Sequence, residues 1–479
     1  TFGPAGISID GEWRAVEGSR YYGTPCLYKE NGFKERKDAE ALIAWLWERE
    51  NGSENSGVMQ SEVSDAEKAD AGLMGVYNTS QGTILKVEKK KETKNPPLLY
   101  NLAELQNDCS KMFKISPDET LKVVQELYEK KLVTYPRTDA RVLSTAVSKE
   151  ITKNLNGLSK YQTAAPYMQD ILQYGAYKNL AKTRYVNDKQ ITDHYAIIPT
   201  GQGLSALNSV SATAHHVYDV IVRRFLSIFY PPAVYQKVAL VTQIGKEQFF
   251  SSFRVLAEEG YLKVAGVPAP KKNANGNDAE GDGSDNNVDL DAAFFASIQK
   301  LKKGDILDVK SLDIKEGETS PTKRYNSGSM ILAMENAGQL IEDEELRAQI
   351  KGSGIGTSAT RAEILKKLFN IKYLALNKKT QVITPTLLGE MIFDVVNCSI
   401  RQLLNPELTA SWEKGLTYVA EGSITEQEYM DKLEHFVRVR TRQVEASNYQ
   451  YNLRQFFDAA AVNYRKPERA SGQGGKRSS

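Results

Sequence analysis

The stretch KKLVTYPRTDARVL, residues 130–143, places a tyrosine, a proline, an arginine and an aspartate directly after a segment typical of a helix. That segment, ISPDETLKVVQELYEKK, has Ser116 as a cap, Pro117 in the first turn and Glu119 to complete a capping box. Its apolar residues recur at helical spacing, so they are predicted to form a buried core face: Leu121, Val124, Leu127 and Tyr128.

Two interpretations of Tyr135 stay open on residue types alone. The residue before a proline is driven into an extended conformation, from which Tyr135 can project as a nucleophile. Arg137, two residues on, faces the same side of an extended segment, where its guanidinium can bind a phosphate through two hydrogen bonds. In the alternative, Tyr135 packs against its domain and Arg137 pairs with Asp139.

Two other segments carry candidate chemistry. TDHYAIIPT, residues 192–200, sets His194 at the start of an apolar strand-like run, where it is either a proton-transfer group or a structural histidine. GSGIGTSATRAEILKKLF, residues 352–369, places three glycines, hydroxyl groups and Arg361 at a helix start suited to anions. No lysine follows the last glycine as in a Walker A loop, so no ATP site is expected.

Bulk composition favours a cytosolic, multidomain globular protein. The chain has 479 residues, 41% hydrophobic and 25% charged, enough for about two to four domains. No apolar run approaches the roughly 18 residues of a membrane span, and no signal peptide is visible. The three cysteines lie far apart, which disfavours a zinc site or a disulfide framework. With a net charge of +2, nucleic-acid binding must depend on local patches.

Composition changes along the chain predict an α+β multidomain organisation. Residues 224–320 are rich in β-branched, alternating segments, whereas residues 98–223 have helical patterning. From residue 321 onward two helices precede a hairpin, YLALNKKTQVITPT, which is the order of a winged-helix module. A capping box between Thr360 and Glu363 is predicted to start the second of these helices.

Four segments in order resemble the type IA DNA topoisomerases, most closely the bacterial topoisomerase III branch. They cover roughly residues 95–422: PPLLYNLAELQNDCSKMFKISPDETLKVVQELYEKKLVTYPRTDARVL, DHYAIIPT, PTKRYNSGSMILAMENAGQ with GSGIGTSATRAEIL, and ITPTLLGEMIF with NPELTASWEKGL. The resemblance implies a toroidal protein with a β-rich arch and helical, winged-helix-like (CAP-like) domains. It also implies ATP-independent cleavage and rejoining of one DNA strand through a 5′-phosphotyrosine, with passage of another strand.

The resemblance also implies roles for individual residues. Tyr135 matches the nucleophile, Arg137 the arginine that positions the scissile phosphate, and His194 the histidine that assists them; Tyr195 replaces a second histidine of the family motif. The expected DNA-binding residues are Arg324, Thr357, Ser358, Thr360 and Arg361.

The family's Toprim domain, which holds Mg²⁺ through acidic side chains, has no counterpart that we recognise in this sequence. Asp289 and Asp291 have the required spacing but follow a polar insertion, so we interpret them as accidental. We therefore expect a fragment that is inactive alone, with no metal ligands of its own and the ion held mainly by the missing domain. The expected segments are 1–97 (first arch segment), 98–223 (tyrosine domain), 224–320 (second arch segment, disordered at about 270–288), 321–464 (second winged-helix-like domain) and 465–479 (basic disordered tail).

The expected partners are single-stranded and negatively supercoiled DNA, bound by a monomer in the cytoplasm, either nucleoid-associated or encoded by a plasmid or mobile element. Two rival hypotheses stay open. One is a non-catalytic single-stranded DNA-binding relative; the other is a tyrosine recombinase or relaxase. A relaxase needs a His-hydrophobe-His metal pair, which the sequence lacks, and a recombinase attaches through a 3′ phosphate.

Overall fold

The computed structural model describes residues 1–3, 8–48, 81–191, 193–266, 292–319, 321–341, 344 and 354–464. The chain forms two compact units, and each is assembled from two separate stretches of sequence. Thr1–Pro96 joins Pro231–Pro321 in the first unit, and Pro97–Tyr230 joins Thr322–Ser479 in the second. The predicted α+β class is confirmed, because antiparallel strands dominate the first unit and helices the second.

The first unit is built on a six-stranded antiparallel sheet. Its strands are β1 Phe2–Gly3, β2 Glu12–Arg14, β5 Gln81–Lys94, β6 Ala233–Ile244, β7 Glu247–Glu258 and β8 Ile306–Val309; a separate pair is formed by β3 Leu27–Lys29 and β4 Gly32–Phe33. The strand order in the sheet is β1-β8-β5-β6-β7-β2. β6 and β7 form a hairpin around Gly245, whose φ of 61° suits a tight turn. The described part of the unit also contains the helices Arg36–Glu48, Leu262–Ala265 and Ala292–Lys300.

Buried and more exposed side chains alternate along these strands, and the buried ones form the hydrophobic core of the unit. Phe2, Ile84, Leu240 and Phe249 are buried in one hydrophobic cluster with residues of the Arg36–Glu48 and Ala292–Lys300 helices. The predicted strand-rich character of the second segment is confirmed. The structure starts that segment at Pro231 rather than residue 224, because the helix before it continues to Ser227. The insertion expected to be disordered at about 270–288 lies outside the described residues.

The second unit begins with five α-helices: Leu102–Phe113, Pro117–Glu129, Thr145–Leu158, Ala165–Tyr174 and Ala212–Ser227. Short 3₁₀ turns at Ala176–Lys182, Asp188–Gln190 and Leu204–Ser209 connect them. Ser116 caps the Pro117–Glu129 helix by accepting a hydrogen bond from the Glu119 N–H at 3.2 Å, as predicted. The adjacent His215 and His216 both belong to the Ala212–Ser227 helix.

The later stretch of the second unit contains the predicted helix-helix-hairpin order. Helices Ser327–Glu335 and Arg361–Asn370 precede the strands β9 Leu374–Leu376 and β10 Ile383–Pro385. The turn is closed by Asn377, whose side-chain oxygen accepts from the Lys379 and Thr380 N–H groups. The predicted capping box at Thr360 is wrong, because the Thr360 hydroxyl bonds back to Thr357 and makes no cap bond.

The tyrosine-bearing segment and the later helices share one core. Ala103 of the first stretch packs with Ile331, Leu365 and Ile383 of the second. Gly328 permits this approach, since a Cβ there would lie 2.6 Å from the Asn107 Cα. Segments 98–223 and 321–464, expected as separate domains, are therefore one compact unit.

The second unit ends in helices Leu387–Ser399, Pro406–Ala420, Glu426–Glu445 and Gln450–Val462, with 3₁₀ turns at Ala337–Leu340 and Arg401–Leu404. Trp412 packs edge-on against Tyr429 and Phe436, which joins the second and third of these helices. The expected basic tail at 465–479 lies outside the described residues. Among the described residues, no helix has both the length and the apolar character required to cross a bilayer.

Candidate active site

The segment that carries Tyr135 leaves the Pro117–Glu129 helix in an extended conformation. Lys131, at φ 62°, turns the chain, and Val133 then pairs with Pro199 as in an antiparallel ladder. The Thr134 N–H donates to the Ile198 carbonyl oxygen at 3.0 Å. The segment containing Tyr135 therefore lies alongside the segment containing His194.

Two threonine hydroxyls fix these neighbouring segments together. The Thr134 hydroxyl donates to the Ala196 carbonyl at 3.1 Å and accepts from the Ile198 N–H at 3.0 Å. The Thr138 hydroxyl donates to the His194 carbonyl at 2.9 Å. Because the two threonines flank Tyr135, they determine the register at which it faces His194.

The tyrosine and histidine rings contact each other directly. The ring centroids of Tyr135 and His194 are 4.3 Å apart at an interplanar angle of 42°. Tyr135 is half-buried and His194 is exposed, so both rings border solvent. Two of the predicted catalytic residues, 59 positions apart in the sequence, are thus brought together by the fold.

A second tyrosine contacts the same ring, and sequence analysis missed it. Tyr128 meets Tyr135 edge-on, with centroids 5.4 Å apart at 82°. The expectation that Tyr128 belongs to the core was wrong, because it is 38% exposed while Leu121, Val124 and Leu127 are buried. The available signal was its position at the last turn of the helix, seven residues before Tyr135.

Arg137 lies half-buried two residues after Tyr135. Within the described part of the chain, no carboxylate lies within ion-pair distance of its guanidinium. Asp139, the partner considered in the alternative interpretation, pairs instead with Arg361 at 2.8 Å. The Arg137–Asp139 pair is therefore not formed, which leaves the Arg137 guanidinium available for an anion.

Arg361 does not lie on the surface where a DNA-binding role would place it. Its side chain is 1% exposed, and its Nη1 donates to Asp139 Oδ1 at 2.8 Å. Nε and Nη2 donate to the carbonyl oxygens of Ile355 and Gly356 at 3.3 and 3.2 Å. In this structure the guanidinium is thus engaged by protein groups and does not present itself to a DNA phosphate.

The other expected DNA-binding residues are accessible to different degrees. Thr357 and Thr360 are exposed, with their hydroxyl oxygens 3.1 Å apart, and Ser358 is half-buried. Arg324 is exposed. Burial and the Glu390 carboxylate raise the pKa of Tyr464 to about 12, and the positive charge of Arg324 acts to lower that pKa. The DNA-binding roles of these residues stay predictions.

A polar cluster supports the site from within the unit. Asn101 donates from Nδ2 to the Asp139 carbonyl at 3.2 Å and to Glu335 Oε1 at 2.6 Å. Burial raises the pKa of Glu335, with the positive charge of Arg361 opposing that shift. Arg141 is held beside this cluster by its 2.6 Å ion pair with Glu104.

The described residues do not fit a resident Mg²⁺ ion. Nowhere in the described ranges do three or more aspartate, glutamate, histidine or cysteine side chains converge in an arrangement that could hold a metal. Mg²⁺ requires oxygen ligands in near-octahedral geometry. No chemical step is therefore assigned to a metal bound by these residues.

Comparisons with known proteins point to one family. The family model described as DNA topoisomerase matches residues 31–431. The DNA topoisomerase 3 proteins of Bacillus licheniformis and Bacillus subtilis are 33% and 32% identical to the chain, over 383 and 372 residues. These alignments cover 79% and 77% of the chain but 49% and 48% of those proteins, so the chain spans about half the length of the curated relatives it matches.

A solved structure supports the fold. Full-length topoisomerase I from Thermotoga maritima matches with a TM-score of 0.52 at 20% sequence identity. The match covers 84% of this chain and 62% of that protein. At this level of identity the likeness concerns the fold, and the roles of individual side chains must be argued from their own geometry.

Proposed function

This chain belongs to the type IA DNA topoisomerase family, and on that premise we propose that it supplies the nucleophile of an ATP-independent topoisomerase. The observation that carries the proposal is the arrangement at Tyr135. Its ring lies 4.3 Å from the His194 ring and two residues before Arg137, whose guanidinium has no carboxylate partner among the described residues. A nucleophile and a proton-transfer group therefore meet at one surface, and a phosphate-binding cation follows two residues along the chain.

The proposed reaction is a reversible transesterification. The Tyr135 oxygen attacks the scissile phosphorus, the phosphorus–O3′ bond breaks, and the 3′ oxygen leaves as a hydroxyl once it gains a proton. The product is a 5′-phosphotyrosine ester, and attack by the same 3′ hydroxyl reverses it. Because one phosphodiester replaces another of similar energy, ATP is not needed. Passage of a second strand through the gap before rejoining changes DNA topology.

Each side chain has a definite part in this scheme. A phenol is a weak nucleophile until its proton leaves, and the His194 imidazole is suited to accept or relay that proton. The Arg137 guanidinium donates two parallel hydrogen bonds to the phosphate and stabilises charge that develops on its oxygens. The Tyr128 ring limits the directions in which the Tyr135 ring can turn.

We propose that single-stranded DNA reaches Tyr135 past the turn of residues 354–360. The exposed hydroxyls of Thr357 and Thr360 and the half-buried Ser358 are suited to phosphate or sugar contacts, and Arg324 adds a positive charge. The natural substrate is proposed to be negatively supercoiled DNA, which offers single-stranded regions. We propose a cytoplasmic monomer that acts on the chromosome, a plasmid or a mobile element.

Mg²⁺ is proposed to be held mainly by a Toprim domain outside this sequence. The ion would add positive charge near the reacting phosphate to that of Arg137, and the described residues do not bring together three or more side chains that could hold it. Under this proposal the isolated chain binds single-stranded DNA but does not cleave it. Magnesium-dependent cleavage by the isolated chain would contradict the proposal that another domain holds the ion.

The proposal is tested by relaxation of negatively supercoiled DNA with the chain supplied with a type IA Toprim domain and magnesium. Tyr135→Phe should abolish relaxation, since the variant keeps the ring but lacks the attacking oxygen. Tyr174→Phe is a matched control, because Tyr174 is 68% exposed and lies outside the site. Residual relaxation by Tyr135→Phe would overturn the assignment of the nucleophile, whereas an inactive but DNA-binding wild type would favour a non-catalytic relative.

A further inference from the structure

Arg361 connects two pieces of chain that lie far apart in the sequence. Its guanidinium donates to Asp139 in the tyrosine motif and to the carbonyls of Ile355 and Gly356 in the glycine-rich turn. Asp139 and Arg361 are 222 residues apart. A single buried side chain thus joins the loop that follows the nucleophile to the turn proposed to lie along the DNA.

The three oxygen atoms that accept hydrogen bonds from Arg361 are placed for the planar geometry of a guanidinium group, which only arginine has. Three nitrogens of the planar group donate to three oxygens at 2.8 to 3.3 Å. A lysine has the same charge but one nitrogen on a flexible stem, so it cannot reproduce this planar pattern. Because a buried charge is costly when unpaired, the arrangement is strongly specified.

Both ends of this connection are fixed to other elements. On the tyrosine side, the Thr138 carbonyl accepts from the Leu102 N–H at 3.1 Å, and the Asp139 carbonyl accepts from Asn101. On the turn side, the Ile355 N–H donates to the Met334 carbonyl at 2.8 Å. Gly354 has a φ of 64°, and a Cβ there would lie 2.3 Å from the Met334 oxygen, so this turn requires glycine.

We propose that Arg361 is a positioning residue: by holding Asp139 against the 354–360 turn, it fixes the backbone from which Tyr135 and Arg137 project. The proposal rests on the proposed function and deepens it, because it gives Arg361 an indirect role in place of the expected DNA contact. A displacement of a reacting group by about 1 Å can cost up to about 100-fold in rate. Loss of the guanidinium is therefore expected to slow cleavage by about 10- to 100-fold, with no change in the salt dependence of DNA binding because no phosphate contact is lost.

The test compares Arg361→Met, Arg361→Lys, Asp139→Asn and the double variant Arg361→Met/Asp139→Asn. Lys366→Met is the matched control, since Lys366 lies on the same helix, has a side chain that is 42% exposed, and pairs with Asp118 and Glu363. The chain supplied with a Toprim domain is used for single-turnover cleavage of an oligonucleotide. The affinity for the same oligonucleotide is measured over a range of salt concentrations.

The expected result is slower cleavage by Arg361→Met and Arg361→Lys, with affinity within about twofold of wild type and the same salt dependence. The double variant should be no slower than Arg361→Met, because both changes break one connection. Lys366→Met should cleave at the wild-type rate. A weaker affinity with a salt slope lower by about 0.7 would show a phosphate contact and overturn the proposal. So would unchanged cleavage, or additive losses in the double variant.

Amide hydrogen exchange on the chain alone separates this proposal from the proposed function. Arg361→Met should exchange faster in peptides covering residues 133–140 and 354–360, whereas peptides from the six-stranded sheet should be unchanged. If both peptides exchange at the same rate in Arg361→Met as in wild type, the proposed connection is overturned even if the wild type cleaves DNA. If the wild type does not cleave, the proposed function fails, and faster exchange still supports the connection.

Discussion

Replacement of Thr138 by valine tests how the two halves of the site are held together. The Thr138 side chain is 4% exposed, and its hydroxyl makes two hydrogen bonds. It donates to the His194 carbonyl at 2.9 Å and accepts from the Ala140 N–H at 3.1 Å. Valine has nearly the same shape, so the substitution removes these bonds and leaves the packing largely intact.

The free energy of unfolding lost in Thr138→Val depends on how deeply each of the two hydrogen bonds is buried. The bond from Ala140 is buried, so its N–H is left without an acceptor at a cost of about 1–3 kcal/mol. The bond to His194 is only partly buried, and water can replace the hydroxyl, so its loss costs about 0.5–1.5 kcal/mol. We expect Thr138→Val to lower the free energy of unfolding of this unit by about 2–4 kcal/mol.

Urea unfolding of the chain, followed by far-ultraviolet circular dichroism, measures this change. Thr441→Val is the matched control, because the Thr441 hydroxyl bonds to the Val437 carbonyl at 2.8 Å on an exposed helix. The control is expected to change stability by less than about 0.5 kcal/mol. A Thr138→Val variant as stable as the control would refute the reasoning that this hydroxyl holds the His194 segment in place.

Three further outcomes are expected. Glu335→Gln should stabilise the chain at neutral pH relative to wild type, because burial raises the pKa of Glu335. The wild-type free energy of unfolding is therefore highest below the ordinary pKa of glutamate and falls as the pH rises through the folded-state pKa. Urea midpoints measured from pH 4 to 7 check this, and a pH-independent difference between the proteins would contradict it. Gly389→Ala should destabilise by more than about 2 kcal/mol, although alanine favours helices, because its Cβ would lie 2.0 Å from the Tyr373 carbonyl oxygen; thermal unfolding that shows stabilisation would refute the clash. Leu127→Ala, at a fully buried position, should cost about 2–5 kcal/mol in the same assay, and a cost below about 1 kcal/mol would contradict its place in the core.

Local features of the fold could be predicted because short-range physics determines them. Ser116 and Pro117 mark a helix start through capping and a fixed φ, and both occupy the expected positions. The alternation in GTILKVEKKK indicates a strand, and Gln81–Lys94 is one. The Asn-Lys-Lys turn between two short apolar runs likewise produced the β9–β10 hairpin.

Features that depend on distant partners could not be predicted. Periodicity placed Tyr128 on the core face, but the helix ends there and its ring meets Tyr135 instead. Thr360 has the spacing of a capping box, yet its hydroxyl forms a hydrogen bond with the hydroxyl of Thr357 in the turn before the helix. The burial of Arg361 could not be inferred either, because no local pattern reports a partner 222 residues away.

The sequence predicted candidate side chains for the site, and their roles stay predictions; it did not predict the hydrogen bonds that connect their segments. The proximity of Tyr135 and His194 follows from a resemblance in sequence and is a fact of the structure. The hydrogen bonds of Thr138, which determine their register, depend on which oxygen atoms lie within reach after the chain has folded. Such contacts leave no signal in residue spacing.

The most direct test of the central claim is identification of the covalent link between protein and DNA. The chain supplied with a Toprim domain and magnesium is reacted with an oligonucleotide, denatured, digested with protease and sequenced by mass spectrometry. Tyr135 should carry a nucleotide through its 5′ phosphate, leaving a free 3′ hydroxyl on the other fragment. A link to another residue, or attachment through a 3′ phosphate, would contradict the account.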